Sequence, residues 1–133
     1  MLAFLQRLLQ RAFLLAERAA NAIFGERLNP LYHLGALSYY LFWVVLASGL
    51  YLYAFFDTSV TGAYDSVERL THEQRWAGGI LRSLHRYASD GVVITMVLHL
   101  VRHWTFDRYR GFRWFSWVSG VILLWLVYTA GIN

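Results

Sequence analysis

From Leu34 to Phe56 the chain carries no charged side chain. At a rise of about 1.5 Å per residue, such a run crosses the ~30 Å hydrocarbon layer of a bilayer as a single helix. A second uncharged run, Trp114 to Ile132, has nearly the same reach. Composition agrees: with 58% hydrophobic and 18% aromatic residues, 133 residues leave too little polar surface for a water-soluble domain of this size. The formal charge of +4 does not point to a nucleic-acid partner. The charges sit between apolar blocks, as topology signals do, and not along one face or tail. All 12 basic residues are arginines, which favour paired contacts to carboxylates and phosphates. There is no cysteine, so disulfides, thiolate metal sites and thioether-linked prosthetic groups are excluded within this chain.

Residues 2 to 24 mix Leu, Phe and Ala with Gln6, Arg7, Gln10, Arg11, Glu17, Arg18 and Asn21. Arg7, Arg11 and Arg18 share one helical face, and Leu5, Leu8, Leu9, Phe13 and Ile23 lie largely elsewhere. This is the pattern of a helix lying on a membrane surface, and the scattered arginines are unlike a cleavable signal peptide. The plainer alternative is an amphipathic helix packed on a partner. Leu28, Asn29 and Pro30 are expected to break the helix and turn the chain into the bilayer.

A third segment, Gly79 to Val101, also reads as a helix, yet it holds Arg82, His85, Arg86, Asp90 and His99. Ionisable groups at membrane depth are costly, and those that persist usually face a bundle interior and a partner. Three crossings are therefore expected. The segment before the first span carries Arg7, Arg11, Arg18 and Arg27, and the loop after the second carries Arg102, Arg108, Arg110 and Arg113. The loop between them has Asp57, Asp65, Glu68 and Glu73 against Arg69 and Arg75. Positive-inside counting then puts the N-terminus in the cytoplasm, or its organellar equivalent, and the C-terminus on the opposite side.

His85 and His99 are separated by close to four helical turns, so their imidazoles share a face about 21 Å apart along the axis. That spacing suits two haems stacked across one bilayer, with each second ligand supplied by a facing helix. Arg82 and Arg102 stand three residues outside the two histidines, where guanidinium groups would meet haem propionates. Gly35 and Gly49 repeat the histidine interval in the first span, and Gly120 stands in the third. Glycine lets a flat macrocycle approach the backbone closely. The plainer alternatives are hydrogen-bonded core histidines and small-residue helix packing.

The run Gly79-Ile-Leu-Arg-Ser-Leu-His-Arg-Tyr-Ala-Ser, followed by Val97-Leu-His-Leu-Val-Arg, resembles the second transmembrane helix of cytochrome b. It is most similar to the shorter form in the plastoquinol-oxidising complex of photosynthetic membranes. The likeness extends to Val60-Thr-Gly-Ala-Tyr-Asp-Ser-Val and Trp117-Val-Ser-Gly-Val, and covers roughly residues 28 to 133. It implies an all-α membrane protein: a surface helix over residues 1–27, then three transmembrane helices over 28–133 as part of a bundle for two b-type haems. By position, His85 and His99 would be iron ligands, Arg82, Arg86 and Arg102 would meet propionates, and Gly35, Gly49 and Gly120 would pack against the rings. Gly49 would lie at the level of His85, and Gly35 and Gly120 at the level of His99. The implied function is electron transfer to or from quinone, in a bacterial inner membrane or another energy-transducing membrane. The implied partners are an iron–sulfur or cytochrome subunit and the membrane subunits that complete the bundle. On this reading the chain is a redox subunit and not a complete enzyme.

Three departures from the family pattern stand out. The family's haem-binding half has a fourth helix with two further histidines and a second glycine in the third helix, which would fall just past Asn133. A separate chain or a longer protein would have to supply them. His33 occupies the position where the photosynthetic form has a cysteine, and imidazole cannot form that thioether. His33 is expected to cap or polarise the end of the first span. The family's outer quinol site is built mainly after the third helix. Two other classes stay open: a haem-free anchor or assembly subunit descended from cytochrome b, and a di-haem anchor for a peripheral dehydrogenase. Asp90 points about 140° away from His85 and is expected to face another helix or subunit, with a proton relay as the alternative. His103 and His72 are expected to be interfacial and solvated, and Met96 to fill space.

Overall fold

The computed structural model describes every residue except Thr58, Val60, Gln74 and Asn133, and the side chains of Arg75, Trp76 and Ile132 are outside the description. Val60, which opens one of the family-like runs, and the Arg75 side chain counted in the acidic loop therefore lie outside the described residues. All regular structure among the described residues is helical: α1 (Leu2–Phe24), α2 (Leu34–Phe55), α3 (Ala63–His72), α4 (Ile80–Thr105) and α5 (Trp114–Ile132). Short 3₁₀ turns at Glu26–Leu28, Pro30–Tyr32 and Gly111–Arg113 and a π-helical turn at Arg75–Gly79 link them.

The helix ends differ from the sequence expectation in three places. α1 stops at Gly25, whose φ of 75° is open to glycine at little cost, before Leu28-Asn29-Pro30 is reached. Asn29 instead caps the next turn, its side chain accepting from Leu31 N at 2.9 Å. α4 runs a further turn past Val101, to Thr105, with Arg102 and His103 near its negative C-terminal end. It closes through Asp107, at φ 59°, with Arg108 N donating to His103 O at 2.9 Å. The acidic loop between the first two spans contains a short helix, α3. Asp65 in its first turn and Arg69 and His72 in its last complement the helix dipole. His72 lies 3.1 Å from Glu68 on the exposed side, and Asp57 ahead of α3 is held below the usual carboxylate range by the backbone amide and side chain of Ser59.

Among the described residues, two segments are long and apolar enough to cross a membrane, Leu34–Phe55 and Gly111–Gly131. None of the second is buried within the chain, so its apolar surface needs a non-aqueous environment. α4 does not match them in composition, because Arg82, Arg86, Asp90 and Arg102 interrupt its apolar residues.

The chain folds as two compact units. One comprises Tyr39–Val92. Its buried apolar residues are Leu70 from α3 and Ala88 and Val92 from α4. Here the π-helical turn packs so tightly under α3 that a methyl group on Gly78 would meet the Leu70 carbonyl oxygen at 2.5 Å. Overpacking against backbone costs typically about 1–3 kcal/mol. Gly78→Ala is expected to lower the melting temperature of the detergent-solubilised protein, with Gly131→Ala, which meets nothing within 4 Å, as the neutral control.

The other unit comprises Met1–Ser38 and Val93–Asn133. α1 docks on the end of α4 through residues seven and four apart on one face. Gln6 Nε2 donates to Trp104 O at 3.1 Å, the Phe13 and Phe106 rings sit 6.4 Å apart, and Glu17 meets Arg102. Asn29, fully buried, ties α1 to the following turn by donating to Glu17 O at 3.1 Å and Asn21 Oδ1 at 2.6 Å. Phe13 is thus covered by protein, while Leu5, Leu8 and Ile23 remain exposed.

Candidate functional site

In the Tyr39–Val92 unit, α2 and α4 bring Gly49 against His85. A methyl group on Gly49 would lie 3.0 Å from His85 Cε1, so a side chain here would press on the ring and glycine leaves it room. His85 Nδ1 lies 3.1 Å from Val45 O and 3.0 Å from Ser48 Oγ, and the Ser48 hydroxyl itself donates to Val44 O at 2.6 Å. Both groups can accept, so Nδ1 carries the proton and donates. With Nδ1 held in this way, Nε2 is the ring nitrogen turned away from these acceptors. Ser48 and Val45 were not recognised from the sequence. The clue available was the serine beside Gly49, since a helical serine commonly bonds back to the carbonyl four residues earlier.

In the other unit the same arrangement recurs between Gly35 and His99. A methyl group on Gly35 would come within 2.9 Å of His99 Cε1 and 3.3 Å of its Nε2. Close by, Ser38 Oγ donates to Leu34 O at 2.8 Å and lies 2.9 Å from Thr95 Oγ1, one turn before His99. Gly120 of α5 faces the neighbouring residue, its Cβ position 3.1 Å from Leu100 Cδ2, so it lies at the level of His99. The His103 ring packs against His99, tilted by 60°, with centroids 4.5 Å apart.

The arginines are distributed less uniformly. Arg102 is buried, and its guanidinium meets Glu17 Oε1 at 2.8 Å from Nε and 2.7 Å from Nη2. It also lies over the Tyr32 and Phe106 rings, 5.5 and 5.3 Å from their centroids. Arg82 is exposed and donates to Thr71 Oγ1 of α3 at 2.8 Å, and Arg86 is exposed with no ion pair among the described residues. The sequence reading took Glu17 only as part of a polar face. Its signal was the four-residue interval Phe13–Glu17–Asn21, which lines one side of α1. His33 Nε2 donates to Arg27 O at 3.1 Å and the His33 carbonyl accepts from Leu37 N, so it sits at the start of α2 as expected.

A family model described as cytochrome b/b6/petB matches residues 20–133. The chain belongs to the cytochrome b family. Among its relatives is the cytochrome b6 of Mastigocladus laminosus, 30% identical over 119 residues, which are 90% of this chain and 55% of that protein. The cytochrome b6 of Prochlorothrix hollandica is 30% identical over 105 residues, 79% of this chain and 47% of that protein. That of Euglena gracilis is 27% identical over 119 residues. The chain spans about half the length of these relatives. Family membership, with the apolar exteriors of α2 and α5, makes this an integral membrane protein.

Proposed function

We propose that this chain is the haem-bearing, electron-transferring part of a quinone-linked membrane complex, with two b-type haems held near the two ends of α4. The observation that carries this reading is the treatment of His85: Nδ1 donates to Val45 O and Ser48, and Gly49 clears the space beside the ring. A packed core histidine would also have its Nδ1 bonded but needs no glycine beside it, whereas a haem ligand needs both a fixed ring nitrogen and room for a flat macrocycle. The Gly35–His99 contact supports the same role at the second position. With no cysteine in the chain, attachment is non-covalent, which fits b-type haem.

Haem supplies a one-electron couple whose potential is set by its ligands and surroundings. The chain's own residues do the rest. His85 and His99 each offer one imidazole, and the second ligands come from a further helix. Arg82 and Arg86 near His85, and Arg102 near His99, offer guanidinium groups to propionates. Gly35, Gly49 and Gly120 keep side chains out of the space beside the rings. α2, α4 and α5 cross the bilayer, with the N-terminus on the cytoplasmic side. α1 lies on that surface with Phe4, Leu5, Leu8 and Leu15 exposed towards lipid. Electrons pass across the membrane between a redox partner on one side and quinone on the other.

A haem-free anchor is the second reading, and one observation favours it: Arg82 and Arg102 already have partners, Thr71 and Glu17, within the chain. A reduced-minus-oxidised spectrum of the gently solubilised native complex, with a redox titration, separates the two. Two b-type components with distinct potentials are the expected result, and a spectrum without b-type haem establishes the anchor. Gly49→Val is expected to lower the haem content per chain by pushing His85 off Val45 and Ser48, whereas Gly131→Val leaves it unchanged.

A further inference from the structure

Asp90 lies in the part of α4 taken above to cross the bilayer, and it is exposed on this chain. It has no ion-pair or hydrogen-bond partner among the described residues; Arg86, one turn earlier, does not reach it. The buried residues of this stretch, Ala88 and Val92, lie within about 60° of His85 around the helix. Asp90 lies about 140° from His85, and the exposed Ser83 and Tyr87 share its side. Ser83, Tyr87 and Asp90 follow an i, i+4, i+7 interval, the spacing of a helix–helix seam. The Ser83 hydroxyl is already bonded one turn back, donating to Gly79 O at 3.1 Å. It is therefore the Asp90 carboxylate, turned away from the chain's own packing, that needs a protein partner at membrane depth, because lipid chains cannot satisfy it.

We propose that this seam docks a transmembrane helix of another polypeptide that presents an arginine or lysine at the depth of Asp90. The proposal rests on the reading of α4 as a membrane-crossing helix. The helix that brings the remaining haem ligands does not fit here, because it must face His85. A second copy of this chain does not fit either. Copies inserted in the same direction and related by an axis along the membrane normal would set Asp90 against Asp90, pairing like charges in a low dielectric. A cationic side chain offers the opposite charge and the donors that the carboxylate lacks.

The test uses the native complex and exploits the absence of cysteine. First, Asp90→Cys is treated in intact membrane vesicles with a membrane-impermeant maleimide. Protection is expected until the membrane is solubilised, and full labelling from either side overturns the crossing of α4 and the docking with it. Second, Ser83→p-benzoylphenylalanine is photolysed with Asp90 left in place. The expected product is an adduct on an apolar segment of a different subunit that carries an arginine or lysine. Adding Asp90→Asn is expected to cut its yield by about fivefold or more. With residue 90 protected, an adduct on lipid alone, on a second copy or on a segment without a cation overturns the docking and leaves the crossing intact. A yield indifferent to Asp90→Asn does the same.

Discussion

Replacing His99 with alanine is expected to remove about half of the b-type haem absorbance of the complex, leaving a single redox component. The size of the effect follows from how the two sites are built. His85 has its own supports in Val45, Ser48 and Gly49, none of which belongs to the His99 site. His99 rests against Gly35, with the Ser38–Thr95 contact one turn away. On the proposed di-haem reading, losing the His99 imidazole would leave one haem without a ligand from this chain, while the other would keep His85. His85→Ala is expected to remove the complementary half and leave a component of different potential. His103 is the control: it packs against His99 at a tilt, but Gly35 meets the His99 ring first, so His103→Ala is expected to keep the haem. A spectrum unchanged by His99→Ala would remove His99 from the ligand set.

Arg102→Ala is expected to destabilise the packing of α1 on α4 by about 3–5 kcal/mol, the usual consequence of stranding one member of a buried ion pair. Both side chains are 9% exposed and the two contacts are 2.8 and 2.7 Å, so solvent does little to screen the loss. Glu17→Ala is expected to cost less, because the guanidinium keeps the faces of Tyr32 and Phe106. The pair Glu17→Leu with Arg102→Met, which removes both charges and keeps volume, is expected to recover most of the stability. Thermal melts in detergent give the magnitudes, and protease cleavage after Arg27 reports the release of α1. Single variants within about 0.5 kcal/mol of wild type, a range ordinary for surface changes, would show that the pair does not hold α1 in place.

The placement of α2 and α5 was legible because uncharged runs of that length have few alternatives to a membrane helix. The histidine and glycine intervals were legible because an α-helix converts sequence spacing directly into position along one face. α3 was missed because only Leu70 and Ser66 of this short helix are buried, too few for a clear periodic signal. Helices of that length are marginal alone and depend on what they pack against. The stop of α1 at Gly25 was missed because a proline is a stronger visible breaker than a glycine, and a glycine acts only once its φ turns positive.

Glu17 shows the limit of local reading. On α1 it resembles any charge on a polar face. Arg102 resembles a counter-ion at the end of α4. Their pairing joins residues at opposite ends of the chain, and no periodicity encodes such a contact. The same holds for Val45 O and Ser48 at His85, since a backbone carbonyl has no letter in the sequence. The sequence by itself determined the four long helices, which segments are apolar enough for lipid, and where on one helix the two imidazoles stand, because each of these depends on neighbours within a few turns. Only the tertiary structure decided what the Nδ1 of His85 bonds to, which acid holds Arg102 and which side of α4 is left uncovered at Asp90, because each of those depends on another helix being brought alongside.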